Sequence, residues 1–288
     1  TNDVTDIAAS TESMDGLWIS TYYRGIDYLN TTTGQFTHYN KTTVPALGCE
    51  QTWTVLDGGD DNLYIGHVNG GFSILSLKDK RVRNFKNEPD NPNSLPGNDV
   101  RTILKDNNGN IWLGTDNGLA LYNATTQNFI TFRQNPNDKH GTLSSRIFSI
   151  KQLNDNKLWI ASELNGIAIL DLKQSQFFSP KQITFEFLRE GDDNRSLSNA
   201  SVRYIYQDSF NNIWIGTWGG GINFISSEPP LFTTIDSSPI HDNENSLNNK
   251  VVSSICADSQ GRLWIGTDGS GINVFKNNKR IAIYKKET

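Results

Sequence analysis

The sequence predicts an all-β protein, a β-propeller of four-stranded antiparallel blades with six repeats visible. It is either six-bladed or most of a seven-bladed ring. Three observations carry this. An aromatic residue followed by a short strand recurs at Trp18, Tyr64, Trp112, Trp159, Trp214 and Trp264, at intervals of 46, 48, 47, 55 and 50 residues. Three copies use nearly the same words, NIWLGT at 110–115, NIWIGT at 212–217 and RLWIGT at 262–267. The spaces between apolar runs are crowded with Gly, Asn and Asp, the residues of tight turns between short strands. A strand-rich period of this length belongs to a radial array of small sheets, since linear β-solenoids repeat over shorter spans.

The fifth copy shows the grammar of one blade. Ser196 to Gln207 leads into a first strand with Val202, Tyr204 and Tyr206 on one face and Arg203, Ile205 and Gln207 on the other. Asp208–Asn212 is a turn, because Asp and Asn side chains bond nearby amides and Asn tolerates left-handed dihedrals. Ile213–Thr217 is a second strand, Gly219–Gly221 a glycine turn, Ile222–Ile225 a third strand, and Leu231–Ile235 a weaker fourth. Each other copy repeats this order. The acidic turns lie at Asp57–Asn62, Asp106–Asn110 and Asp258–Gly261, and the glycine turns at Gly25, Gly70–Gly71, Gly118, Gly166 and Gly269–Gly271. Phe36, Phe85, Phe129 and Phe177 mark last strands. A Ser/Thr-Leu pair introduces four copies, at Ser94-Leu95, Thr142-Leu143, Ser196-Leu197 and Ser246-Leu247. The repeats run at about 1–40, 41–86, 94–133, 142–188, 196–235 and 246–285, a single domain over 1–288. The recurring Trp residues read as blade-packing groups, because one site does not need five equivalent copies.

Composition narrows the function. The net charge of −5, with both signs interspersed, leaves no basic stripe for nucleic acid. No apolar run reaches the ~20 residues of a membrane helix. Cys49 and Cys256 stand in different repeats and read as free, packed thiols rather than a disulfide framework. The acidic turns lack the spaced ligands and terminal bidentate Glu of a calcium loop, and the four His form no zinc motif, so no metal or other cofactor is expected. The chain opens on TNDVTDIAAS, already inside a repeat, and reads as a piece of something longer.

The string Asp-x-x-Gly/Asn-x-Ile/Leu-Trp-Ile/Leu-Gly-Thr, followed by a glycine turn, resembles the two-component regulator propeller repeat. The likeness spans the chain and is closest in copies three, five and six; copy four has Ala161-Ser162 where Gly-Thr is expected. The stretch SLSNASVRYIYQDSFNNIWIGTWGGGINFISSEPPLF, 196–232, is similar to a blade of the periplasmic sensor regions of hybrid two-component systems. That resemblance implies a periplasmic, extracytoplasmic ligand sensor. It would stand ahead of further propeller and β-sandwich regions, a membrane helix and a histidine kinase, as a homodimer in the parent. Many members of the family sense oligosaccharides and regulate polysaccharide-utilisation genes. Under it this segment is a binding module and not an enzyme. The competing class is a carbohydrate-active propeller, a lyase or a sialidase-like enzyme, or a lectin.

In a meander blade, the loops between strands two and three share a face with the blade-to-blade links, at the mouth of the central channel. Departures from the repeat on that face are the candidate ligand contacts. In the turns after the aromatic they are Tyr22, Tyr23 and Arg24, His67, Glu163, Trp218 and Asp268; ahead of the inner strands they are Arg101, Arg146 (with Ser145) and Arg203. Aromatic plates beside Arg, Asp and Glu suit a sugar, whose C–H face stacks and whose hydroxyls need donors and acceptors. Several Arg also suit a uronic acid or a sulfated sugar through forked hydrogen bonds. Trp218 replaces a small or polar residue and is flanked by glycine, which sets it apart from the packing column.

Overall fold

The computed structural model describes residues 3–132, 143, 146–173, 184–191, 195–228, 235, 237, 246–277 and 279–285. Ser145, Thr142, Phe177 and residues 231–234 of the expected fourth strand lie outside the described residues. Every described element is a strand. The first blade is β1 (Val4–Ala9), β2 (Gly16–Thr21), β3 (Gly25–Asn30) and β4 (Gln35–Tyr39); the second is β5 (Thr52–Asp57), β6 (Asn62–His67), β7 (Phe72–Ser76) and β8 (Val82–Phe85). The third is β9 (Val100–Lys105), β10 (Ile111–Thr115), β11 (Gly118–Asn123) and β12 (Asn128–Phe132), and the fourth β13 (Ile147–Gln152), β14 (Lys157–Ser162), β15 (Ile167–Asp171) and β16 (Glu186–Leu188). The fifth shows β17 (Val202–Gln207), β18 (Ile213–Thr217) and β19 (Ile222–Ile225); the sixth is β20 (Val252–Ala257), β21 (Leu263–Thr267), β22 (Gly271–Lys276) and β23 (Lys279–Tyr284). Each sheet is an antiparallel meander in sequence order. Where the sequence predicts one domain, the chain forms two compact units, with five blades in Thr1–Ser227 and the sixth in Glu228–Thr288.

The repeated residues hold blades together. Consecutive blades of the first unit share apolar layers: Trp18 and Ile26 with Val55 and Ile65, Phe72 and Ile74 with Val100 and Leu113, Trp112 and Leu121 with Ile147 and Ile160, and Trp159 and Ile169 with Val202 and Ile215. The Leu of each Ser/Thr-Leu pair (Leu95, Leu143, Leu197, Leu247) is buried as a wedge in its layer. Gly114 is glycine because a Cβ there would press on Ile147 Cγ2 of the next blade, 2.7 Å away. Gly71 is glycine for a local reason: its φ of +83° is left-handed, and a Cβ would run into the Phe85 carbonyl of β8.

The acidic turn and the Trp prove to be one device. Asp106, Asp208 and Asp258 each stand six residues before their Trp and accept its indole N–H, at 2.9, 3.0 and 2.9 Å, while their other oxygen holds amides of the turn. In the first blade Trp18 reaches across instead to Asp57 of the second, at 3.0 Å. The fourth blade breaks the rule: Leu153 stands where the Asp should be, and the buried Trp159 Nε1 has no hydrogen-bond partner. Both cysteines are free thiols, Cys49 half-buried and Cys256 exposed rather than packed.

Candidate functional site: an aromatic–arginine ladder

The site begins with a backbone irregularity. In every blade the ladder between the inner strand and its neighbour skips one residue, the second of the inner strand: Thr5, Trp53, Arg101, Phe148, Arg203 and Ser253. A bulged residue is unpaired, bends its strand and re-aims its side chain. In blades two to five this residue lies eleven positions before the repeated aromatic, and it is Trp, Arg, Phe and Arg in turn. A second column lies beside the first. The residue after each second strand donates its amide back to the segment ahead of the inner strand: Tyr22 to Asp3, Val68 to Gln51, Asp116 to Asp99, Glu163 to Arg146 and Trp218 to Ser201, at 2.8–3.0 Å. These bonds place the turns after the aromatic and the blade-to-blade links on one face, as the meander argument requires.

Within the first unit the inner strands β1, β5, β9, β13 and β17 pack each against the next. Their bulged side chains therefore meet. Tyr23 lies edge-on to Tyr22 at 4.7 Å between ring centroids, and Tyr22 edge-on to Trp53 at 5.3 Å. The Arg101 guanidinium stacks over Trp53 at 4.3 Å and faces Phe148 at 5.4 Å. The Arg203 guanidinium sits over Phe148 at 3.9 Å and against Trp218 at 4.5 Å. The result is a continuous ladder of rings and cations running from blade one to blade five. Each cation–π contact is worth ~0.5–2 kcal/mol, more where water is excluded.

The charges are unevenly matched. Asp99 holds Arg101 through Nε at 3.0 Å and Nη2 at 2.8 Å, and its other oxygen accepts the Trp53 indole N–H. Arg146 Nη1 lies 3.1 Å from both oxygens of Glu163. Arg203 has no carboxylate within ion-pair distance among the described residues, and its buried Nε has no hydrogen-bond partner. Burial lowers its pKa; Glu163 opposes that, while Arg101 and Arg146 add to it.

The predicted residues therefore separate. Tyr22, Tyr23, Arg101, Arg203 and Trp218 form the ladder, and the Arg146–Glu163 pair lies close enough to act on Arg203. Arg24 instead lines a shallow cleft in the first blade with Thr21, Asp27, His38 and Asn40. His67 is a correction: it is 0% exposed, bonds Ser73 Oγ at 2.7 Å, and burial pushes its pKa down to about 4. It is a neutral core residue and offers nothing to a ligand on the surface. Asp268 is exposed and belongs to the second unit. Trp53 and Phe148 were missed. The column eleven residues before the aromatic holds both, but a search for polar departures picks out only its arginines. Among the described residues no group of three His, Cys, Asp or Glu is placed to hold a metal ion.

Rings that are half-buried along the ladder and exposed at its ends, Tyr23 and Trp218, beside oriented guanidinium groups, suit a ligand with a flat apolar face and a polar edge. Comparison with known proteins gives this surface a context. The two-component regulator propeller model matches residues 94–117, 196–219 and 246–269. A solved extracellular domain of a hybrid two-component system from B. thetaiotaomicron is 63% identical, with a TM-score of 0.70; the match covers 99% of this chain and 34% of that one. Two further solved proteins share the fold alone: the extracellular domain of a one-component system of B. thetaiotaomicron (17% identity, TM-score 0.61, 96% of this chain and 40% of that one) and PorZ of Porphyromonas gingivalis (16%, 0.59, 98% and 42%). Histidine kinase P4 of Formosa agariphila is 29% identical over 92 residues, 31% of this chain and 7% of the kinase. The chain thus spans about a third of the extracellular domain it most resembles among these, and a small part of the kinase.

Proposed function

We propose that this chain, which carries two-component regulator propeller repeats, is the ligand-sensing part of an extracytoplasmic receptor in a hybrid two-component system. Its ligand is an oligosaccharide, and its output is a histidine kinase elsewhere in the parent, which controls genes for polysaccharide use. The observation that carries the reading is the ladder of Tyr22, Trp53, Arg101, Phe148, Arg203 and Trp218. Buried rings would serve packing alone, but Trp218 is 68% exposed and Tyr23 53% exposed, at the two ends of the ladder. A pyranose offers a C–H face for such plates and hydroxyls for the flanking Arg, Glu and Asp. The guanidinium of Arg101, stacked on Trp53 and held by Asp99, and that of Arg146, held by Glu163, are oriented before binding, which lowers the ordering cost of recognition.

Signalling follows from differential affinity. A sugar that binds one arrangement of a receptor homodimer more tightly than the other shifts the population, and the shift reaches the membrane helix of the parent. The remaining propeller and β-sandwich regions of the parent are the partners that carry it. The periplasm is the compartment that fits.

The test is calorimetric titration of the chain with a panel of oligosaccharides, with chromatography of the sugars afterwards. Binding in the micromolar range, lost on Trp218→Ala and Trp53→Ala and without turnover, supports a sensor. Cleavage of the bound sugar would replace it with an enzyme. Binding unaffected by both substitutions would place the sugar off the ladder.

A further inference from the structure

We infer that Arg203 is an anion subsite within this site, and that the ligand carries an acidic group, a carboxylate or a sulfate ester, beside the sugar ring that stacks on Trp218. This rests on the proposed sensing function and specifies its ligand class.

The inference comes from which guanidinium edges are free. Arg101 and Arg146 each have a carboxylate partner, Asp99 and Glu163, so their charge is met inside the protein. Of the three arginines here, Arg203 alone lacks a carboxylate within ion-pair distance among the described residues. Phe148 and Trp218 both lie against the Arg203 guanidinium, at 3.9 and 4.5 Å from its carbon to the ring centroids. A hydrogen-bond acceptor approaches a guanidinium along its edge, in the plane of its N–H groups. That geometry matches the two oxygens of a carboxylate or of a sulfate, which Arg binds through parallel N–H···O bonds. Burial of Arg203 weakens solvent screening, so an anion there gains more than at an open surface.

The arrangement is also costly to keep without a ligand. A partly buried cation whose Nε lacks a partner is a polar group that folding leaves unsatisfied. Arg146 Nε is likewise buried without a partner, but the Arg146 charge is met by Glu163 through Nη1, whereas Arg203 has no carboxylate within ion-pair distance among the described residues. The exception sits where Trp218 opens to solvent, so the unmet charge and the exposed stacking plate lie side by side. A sugar ring on Trp218 would carry its acidic substituent to the Arg203 edge.

The whole 288-residue chain is titrated calorimetrically with short uronate oligosaccharides, their sulfated counterparts, and the same oligosaccharides with carboxyl groups reduced to alcohols. Galacturonate and inorganic sulfate are titrated separately, with Trp fluorescence as the readout of the Arg203–Trp218 stack. The expected result is that at least one acidic oligosaccharide binds 10-fold to 100-fold more tightly than its reduced form. Arg203→Gln should remove that preference, lowering the affinity for the acidic form at least 10-fold more than that for the reduced form. Arg203→Lys, which keeps the charge without the fork, should retain part of it, and both variants should melt as cooperatively as the parent. Carboxylate and sulfate as sources separate by which series shows the preference. Equal affinity for acidic and reduced sugars, or a preference that survives Arg203→Gln, overturns the anion subsite and leaves oligosaccharide sensing standing. If no oligosaccharide binds but galacturonate or sulfate perturbs Trp fluorescence only when Arg203 is present, the subsite stands and the sugar reading falls. If nothing binds or perturbs, both fall.

Discussion

Asp106→Ala removes the acceptor that ties the acidic turn of the third blade to its packing Trp. Asp106 is buried and accepts from four donors: the amides of Asn108 and Asn110 at 2.9 Å each, the Asn110 side chain at 2.9 Å, and Trp112 Nε1 at 2.9 Å. The turn amides lie near solvent and rehydrate, so their loss resembles that of a helix cap, ~1 kcal/mol. Trp112 cannot rehydrate, because it is 0% exposed between the third and fourth blades. Stranding its N–H costs ~1–3 kcal/mol. The sum is about 3 kcal/mol. At a urea slope of ~3 kcal/mol/M this lowers the unfolding midpoint by about 1 M. The assay is urea unfolding followed by Trp fluorescence, with Asp208→Ala as the internal comparison. Trp214 is 41% exposed, so its N–H finds water and the second substitution should shift the midpoint less. Equal shifts, or a loss below ~1 kcal/mol for Asp106→Ala, would refute the reasoning that the turn and the Trp form one buried unit.

Three further outcomes follow from the same geometry. His67 has a folded pKa of about 4 against 6.5 for the free side chain, so between these values the unfolded chain binds a proton that the folded chain does not. Stability should therefore rise with pH across that window, by about 3 kcal/mol in all, and His67→Thr, the residue at this position in most copies, should flatten the slope measured by unfolding at pH 4 to 7.5. Gly71→Ala should cost about 2 kcal/mol or more, since Ala must adopt a φ of +83° beside the Phe85 carbonyl; a neutral melting temperature would contradict it. Leu153→Asp supplies the missing acceptor for Trp159 while removing a buried Leu. A charged hydrogen bond of ~1.5–3 kcal/mol against a burial of ~1.5–3 kcal/mol leaves it within about 1 kcal/mol of the parent, whereas Leu153→Ala, with no such compensation, should cost ~2–5 kcal/mol.

What the sequence made legible depended on repetition. Strands, turns and the packing Trp were readable because each recurs in a fixed frame and needs the same residue type every time. The role of Asp106, Asp208 and Asp258 was half visible: their spacing marks a turn, but only coordinates show the indole bond that couples the turn to the core. The ladder was readable where it departs in polarity, at Arg101 and Arg203, and at Trp218, where a ring replaces a small residue. Trp53 and Phe148 escaped, because an aromatic residue in a strand looks like core until a bulge turns it out of the sheet. His67 misled for the opposite reason. It departs from the Thr of the repeat, yet it points inward to Ser73, and sequence carries no sign of which side of the turn it takes. Arg24 follows two ladder residues directly, but its side chain leaves them for the cleft beside His38.

The most direct test of the account is a crystal structure of this chain with the acidic oligosaccharide that binds it best. The account predicts a sugar ring stacked on the exposed face of Trp218 and its carboxylate or sulfate oxygens ~2.7–2.9 Å from the Arg203 guanidinium edge. A sugar bound on the outer strands, with the ladder from Tyr22 to Trp218 left uncovered, would contradict it.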